Sequence, residues 1–245
     1  MADRADDDLA RLAGAAARHG VRPRTFLSNH RHIFRGVDLR GRTVLDVGSG
    51  LGLTSCYAAA RGAKRVVGIE PEAAGCETGT LERARSIRAE MAYEQRVEIV
   101  PATLAESGIE GRFDVVVVND AINHFDEEAC AVLDRNPAAR GAYRPLFEHL
   151  SRLTKPGGSL ILTDCSNRNF LPDIGLINPI RRSINWRIHQ PPELWAEMFL
   201  RFGFRDPRID WIPLARMGRL GRAIGTWRWA AYFLNSQFRL LLVRE

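Results

Sequence analysis

Three glycines at alternate positions, Gly48, Gly50 and Gly52, follow the apolar run Val44-Leu45-Asp46-Val47 and lead into helix-forming residues through Ala60. Glycine lets a backbone turn tightly and lets a ligand approach it closely. The carboxyl end of a buried strand is where α/β sheets bind ligands. Asp46 stands just ahead of this loop and Ser49 lies within it. A dinucleotide loop needs Gly-x-Gly-x-x-Gly, and its third glycine would fall on Leu53, so the spacing disfavours a nicotinamide site. A second carboxylate, Glu70, closes the run Val66-Val67-Gly68-Ile69-Glu70. A carboxylate there can accept hydrogen bonds from both hydroxyls of a ribose. Two histidines could move protons, because an unperturbed imidazole titrates near neutrality. His124, the first candidate, follows the polar exit Asn119-Asp120-Ala121-Ile122-Asn123; His189, the second, lies in Trp186-Arg187-Ile188-His189-Gln190. The bland alternatives are a tight turn without a ligand, a solvated strand end at Glu70, and packing or capping histidines.

The elements that would position these groups alternate between strand and helix. Helical spacing covers residues 5–19, with Gly20 as a stop, and a second helix begins after Pro23 and runs toward Phe34. Strands are predicted at Thr43–Val47, Arg65–Glu70, Val97–Val100, Phe113–Asn119, Ser159–Asp164, Phe204–Ile212 and Phe238–Val243. The four consecutive valines after Asp114 imply burial on both faces. Residues 76–92 carry helix formers, 126–153 read as a long interrupted helical region, and Pro192–Phe202 reads as a helix ended by Gly203. This alternation predicts βαβ units and a mainly parallel sheet.

Asp46 with the three glycines, then Glu70, then Leu153-Thr154-Lys155-Pro156-Gly157-Gly158-Ser159 resemble, in order and spacing, class I S-adenosylmethionine (SAM) dependent methyltransferases. The resemblance implies a Rossmann-like α/β fold. Its seven-stranded sheet would be mostly parallel with an antiparallel last strand, and would carry helices on both faces. Residues 1–38 would form an N-terminal helical cap. Residues 39–245 would form the methyltransferase domain as one structural unit, with insertions near 165–191 and 214–235. The resemblance also implies SAM as cofactor and S-adenosylhomocysteine (SAH) as product. Asp46, Gly48, Ser49, Gly50, Gly52, Glu70, Thr103 and Asn119 would bind the cofactor. Many family members place an aspartate after the third strand for the adenine; here Val100-Pro101-Ala102-Thr103-Leu104 has none. Backbone groups, Thr103 or apolar contact would have to serve.

In such a fold the acceptor meets the methyl group near the ends of the fourth and fifth strands. Thr163-Asp164-Cys165-Ser166 faintly resembles the nucleophilic-cysteine context of RNA cytosine methyltransferases, but the partner Pro-Cys is missing, so a packing thiol is expected. Asn119-Asp120-Ala121-Ile122 does not match the motif of amino-directed nucleic-acid enzymes. The expected reaction is therefore methyl transfer to a small molecule, oxygen preferred, in specialised metabolism. Its rivals are nitrogen or carbon transfer, including to a macromolecule, and a non-catalytic SAM-binding module.

Composition sets wider bounds. The 245 residues suit one α/β domain, and 45% are hydrophobic. The net charge is +6 and the pI about 9.6, yet only Lys64 and Lys155 are lysines and the arginines are dispersed. A nucleic-acid partner would more often show a dense basic stripe, so none is expected. The four scattered cysteines, Cys56, Cys76, Cys130 and Cys165, suggest neither a metal site nor disulfides. No apolar stretch is long enough for a membrane span and no signal peptide is evident, so a cytoplasmic location is expected. The basic, aromatic segment 214–235 reads as a flap over the sheet with some pocket function; a homodimer contact or a membrane-surface contact are its other uses.

Overall fold

The computed structural model describes residues 2–72, 79–214 and 224–245, with side chains from residue 5 onward. Cys76, part of the expected 76–92 helix, and Arg216, Arg219 and Arg222 of the 214–235 segment lie outside the described residues. Two helices open the chain, α1 (Ala2–Arg18) and α2 (Pro23–Ile33). Then come β1 (Thr43–Val47), α3 (Leu53–Ala60), β2 (Arg65–Ile69), α4 (Thr80–Glu90), β3 (Val97–Val100) and β4 (Phe113–Asn119). After a 3-10 turn at Ile122–Phe125 follow α5 (Glu127–Cys130), a second such turn at Pro137–Tyr143, α6 (Arg144–Leu153) and β5 (Thr154–Cys165). The chain continues through α7 (Phe170–Asp173), α8 (Pro192–Leu200), β6 (Phe204–Trp211), α9 (Arg228–Phe233) and β7 (Gln237–Arg244).

The sheet order is β3-β2-β1-β4-β5-β7-β6. The first five strands pair in parallel, and β7 runs antiparallel to both β5 and β6. The chain winds one way from β1 through β2 to β3 and the other way from β4 to β5. The loops leaving β1 and β4 therefore part above the sheet, which opens a ligand crevice at their carboxyl ends.

Both sheet faces are covered, which explains the valine run. Val115 and Val117 pack with Leu12, Phe26, Phe34, Tyr57 and Ile87 on the side of α1 to α4. Val116 and Val118 pack with Phe147, Leu150, Trp195 and Phe199 on the side of α6 and α8. Among the contacts that tie down the N-terminal helices, those of His30 and Arg239 involve buried side chains. His30 bridges α2 to α3, with Nδ1 2.9 Å from the Phe26 carbonyl and Nε2 3.2 Å from the Thr54 hydroxyl. Arg239, buried on β7, donates to the carbonyls of Ile33 and Arg35 and to Asp210 on β6.

The fifth strand begins earlier than the Pro-Gly-Gly turn suggested. Phe113 pairs with Thr154 and Val115 with Ser159, so Lys155 to Gly158 bulge out within the strand. A side chain at Gly158 would put its Cβ 2.8 Å from the Lys155 carbonyl oxygen and 3.0 Å from that of Asp114. The bulge closes only on glycine there, and Lys155 Nζ donates to Asp114 across it at 2.9 Å.

Candidate functional site

The loop after β1 keeps φ at +73° for Gly48, +51° for Gly50 and +67° for Gly52. These are left-handed conformations that cost any residue with a Cβ. Gly48 is needed for a second reason. A Cβ there would stand 2.5 Å from the Cβ of Ala121, in the loop leaving β4. The two loops that flank the crevice thus touch at their backs. At Gly50 no atom lies within 4 Å of the position a Cβ would take, so this glycine faces open space.

Two carboxylates support the loop. Glu70 accepts the Gly50 N–H on Oε2 at 2.7 Å, so it braces the loop rather than standing as a solvated strand end. Asp46 is fully buried and accepts from the Ser55 hydroxyl at 2.7 Å. Burial pushes its carboxyl up to about 7; the Ser55 hydrogen bond opposes this and the nearby Glu70 adds to it. Asp46 Oδ1 and Ser49 Oγ are buried with no hydrogen-bond partner among the described residues. Gly68 makes room for this cluster, since a Cβ there would fall 2.9 Å from both Ser49 Oγ and Ser55 Oγ. An open backbone curve, two unused polar atoms and an acidic surround fit a ligand with a cationic ammonium and sulfonium.

Thr103 is occupied locally. Its hydroxyl donates to Glu106 at 2.7 Å, and the Glu106 N–H returns a bond to Thr103 Oγ1, a capping box for the short turn after β3. Asn119 ends β4 and accepts from the Thr163 hydroxyl on β5 at 2.6 Å. The next residue, Asp120, takes φ +51°, which redirects the chain toward Ala121. Asp120 stands among Asp164, Arg181 and Gln237 yet keeps solvent access. Desolvation, then Asp164, raises its carboxyl above the usual range, with Arg181 opposing.

The two candidate histidines differ sharply. His124 sits on the 3-10 turn after β4 with 59% of its side chain exposed, and its Nδ1 lies 2.7 Å from Glu127 Oε1. His189 is buried, and its Nδ1 lies 2.8 Å from Oδ1 of Asp164, whose side chain is 1% exposed. The same Asp164 oxygen accepts the Cys165 N–H at 2.7 Å. His189 Nε2 has no hydrogen-bond partner among the described residues. A buried carboxylate on Nδ1 fixes the ring and the tautomer that leaves Nε2 able to accept a proton. Sequence reasoning misses Asp164, whose only signal is a carboxylate at the end of an apolar strand. Burial pushes the Cys165 thiol well above its ordinary value, which fits a packing residue and not a nucleophile.

The methyltransferase-domain family matches residues 38–190, more than half of the chain. Among curated relatives, a ubiquinone biosynthesis O-methyltransferase of Alkalilimnicola ehrlichii is 36% identical over 131 residues, which is 54% of this chain and 44% of that protein. A ribosomal protein L11 methyltransferase of Sorangium cellulosum is 30% identical over 128 residues, 51% of this chain and 32% of that protein. The chain thus spans less than half the length of either relative. A solved S-adenosylmethionine dependent methyltransferase from Mesorhizobium loti shares the fold at a TM-score of 0.59 and 17% identity, over 89% of this chain and 96% of that one. No helix among the described residues is long and apolar enough to cross a membrane. By family and by sheet topology, the chain belongs to the SAM-dependent methyltransferases of Rossmann-like fold.

Proposed function

We propose that the protein moves a methyl group from SAM to a hydroxyl oxygen of a small molecule, with His189 as the base and Asp164 as the residue that positions it. The observation that carries this reading is the buried Asp164–His189 pair beside the exit of β4. Bound SAM supplies an electrophilic methyl carbon on a sulfonium. The residues suited to hold it are Asp46, Gly48, Ser49, Gly50 and Gly52, with Glu70 bracing the loop and reaching toward a ribose. Thr103 and Asn119 complete the cofactor side, Thr103 through its backbone because its hydroxyl already serves Glu106.

The chain's own work is to orient the acceptor, exclude water and take a proton. With SAM bound as methyl donor, His189 Nε2 would take the proton from the acceptor hydroxyl. The imidazolium that results is stabilised by Asp164 at 2.8 Å. A small acceptor is supported by the O-methyltransferase relative and by the enclosed position of the dyad.

Single-turnover transfer with SAH titration alongside tests the assignment. His189→Ala should slow transfer about 100-fold or more with SAH affinity retained. Asp164→Asn should slow it less and leave SAH binding alone, while the exposed His124→Ala should stay near the parent rate. Parent-like transfer by His189→Ala rejects the base, and a loss confined to His124→Ala moves the role to that residue. The L11 relative favours a second reading, a protein amine. An amine that arrives deprotonated needs no base, so that reading predicts parent rates for both histidine variants.

A further inference from the structure

A cavity of about 500 Å³ lies over the ends of β5, β7 and β6. That size falls within the roughly 300–1,000 Å³ of small-molecule sites. It is lined by Trp211, Tyr232 and the exposed Trp229, together with Arg168, Arg228 and Glu193. The aromatic residues come from separate elements: Trp211 closes β6, while Trp229 and Tyr232 ride on α9. The short α9 is itself anchored, since the Tyr232 hydroxyl donates to Asp173 at 2.9 Å and Phe233 packs against Phe170 with ring centres 4.8 Å apart.

The charged residues that line it are unequally matched. Arg228 is matched by Glu193 at 3.3 Å. Arg168 is an exposed residue whose guanidinium has neither an ion pair nor a hydrogen bond among the described residues. The cavity therefore offers apolar rings and one unmatched cation.

Register places the cavity relative to the dyad. Asp164 pairs with Phe238, and Phe238 pairs with Trp211. Directly paired residues project to the same face, so Asp164, Phe238 and Trp211 form one row, with its ends about 10 Å apart across two strand spacings. Ser166, two residues beyond Asp164, lines the cavity, as does Glu193, four residues beyond His189. Along the sheet the order is glycine loop at β1, dyad at β5, cavity over β7 and β6. The dyad thus lies between the cofactor loop and the cavity.

We infer that this cavity holds the body of the acceptor, and that the acceptor is a planar aromatic acid: a ring between Trp211 and Trp229, an anionic group on Arg168, and the hydroxyl directed to His189. The inference rests on the methyltransferase reading for the role of the ligand, but its binding test does not. Flat rings stack on indole and phenol faces, and an anion on an unmatched guanidinium gains charge-assisted hydrogen bonds.

Calorimetry with 3-hydroxy-2-naphthoate and its uncharged carboxamide tests it on the intact chain, with tryptophan fluorescence as a second readout. The carboxylate should bind about tenfold more tightly than the amide. Arg168→Gln should erase that preference without altering SAH affinity. Trp229→Leu should weaken both probes. A carboxylate that binds no better than the amide, or not at all, overturns the inference, and so does a preference that survives Arg168→Gln. Probe affinity unchanged by Trp229→Leu overturns the location. Absence of SAH binding in the parent protein would instead remove the methyltransferase reading and leave the probe result standing.

Discussion

Gly48→Ala separates backbone strain from a collision. At φ +73° an alanine pays about 1–2 kcal/mol for the left-handed conformation. Its Cβ also arrives 2.5 Å from that of Ala121. Ala121 is held by its own constrained neighbour, Asp120 at φ +51°, so it cannot simply step aside. Relieving such overpacking costs about 1–3 kcal/mol more. The total is about 2–5 kcal/mol, or about 4–20 °C in Tm for a chain of this size. Gly50→Ala meets only the strain, because no atom lies within 4 Å of its Cβ position, and should lose about 2–8 °C. The decisive variant is Gly48→Ala with Ala121→Gly. Removing the second methyl should return the collision share and leave the strain share, a coupling of about 1–3 kcal/mol in a thermal-unfolding double-mutant cycle. Additive losses, with no recovery in the double variant, would refute the claim that the loops after β1 and β4 are in steric contact.

Two further outcomes follow from the N-terminal attachment. Arg239→Met strips donors from the buried Ile33 carbonyl, the part-buried Arg35 carbonyl and Asp210, and should cost about 3–5 kcal/mol in urea unfolding; Arg35→Ala, which removes only the exposed partner of Asp210, should cost less than about 1 kcal/mol. Equal losses would deny Arg239 its clamping role. Burial lowers the His30 pKa to about 4, with the Phe26 carbonyl opposing. Between that value and its unfolded value of 6.5, the unfolded chain binds the extra proton, so stability is full above about pH 6.5 and falls as pH drops toward 4. The loss reaches about 3 kcal/mol. Unfolding of the parent and His30→Gln across this range should show the steeper decline in the parent; parallel curves would place the proton elsewhere.

Much of the fold is legible in the residues. Strands β1, β2, β4 and the later part of β5 appear as apolar runs because both faces of the sheet are covered there, and Val115 to Val118 show this most plainly. Glu70 and the glycines are legible because their spacing reports one turn between adjacent strands. The start of β5 is not, because Pro156 to Gly158 punctuate like a turn while the strand resumes its register beyond them. The His189–Asp164 pair is hidden for another reason. Twenty-five positions of irregular chain separate the two, and no periodicity reports which carboxylate an irregular segment will return to. Gly68 reads as an ordinary strand residue; only the depth of Ser49 and Ser55 reveals why it must be small. The Thr103–Glu106 box is readable from its spacing, and it competes with the cofactor role given to that hydroxyl.

The place of β7 bears on how the chain folds during synthesis. It is made after every other strand, yet it sits between β5 and β6 and is the sole link of β6 to the sheet among the described residues. Until residues 237–244 leave the ribosome, β6 has no partner and β5 presents an open edge to other chains. The bond from Arg239 to the Ile33 carbonyl spans 206 positions, so this part of the attachment of the N-terminal helices also waits for this strand. Such distant pairing makes folding slow and late. Nascent chains that end before β7 should be far more prone to aggregation than chains only a few residues longer.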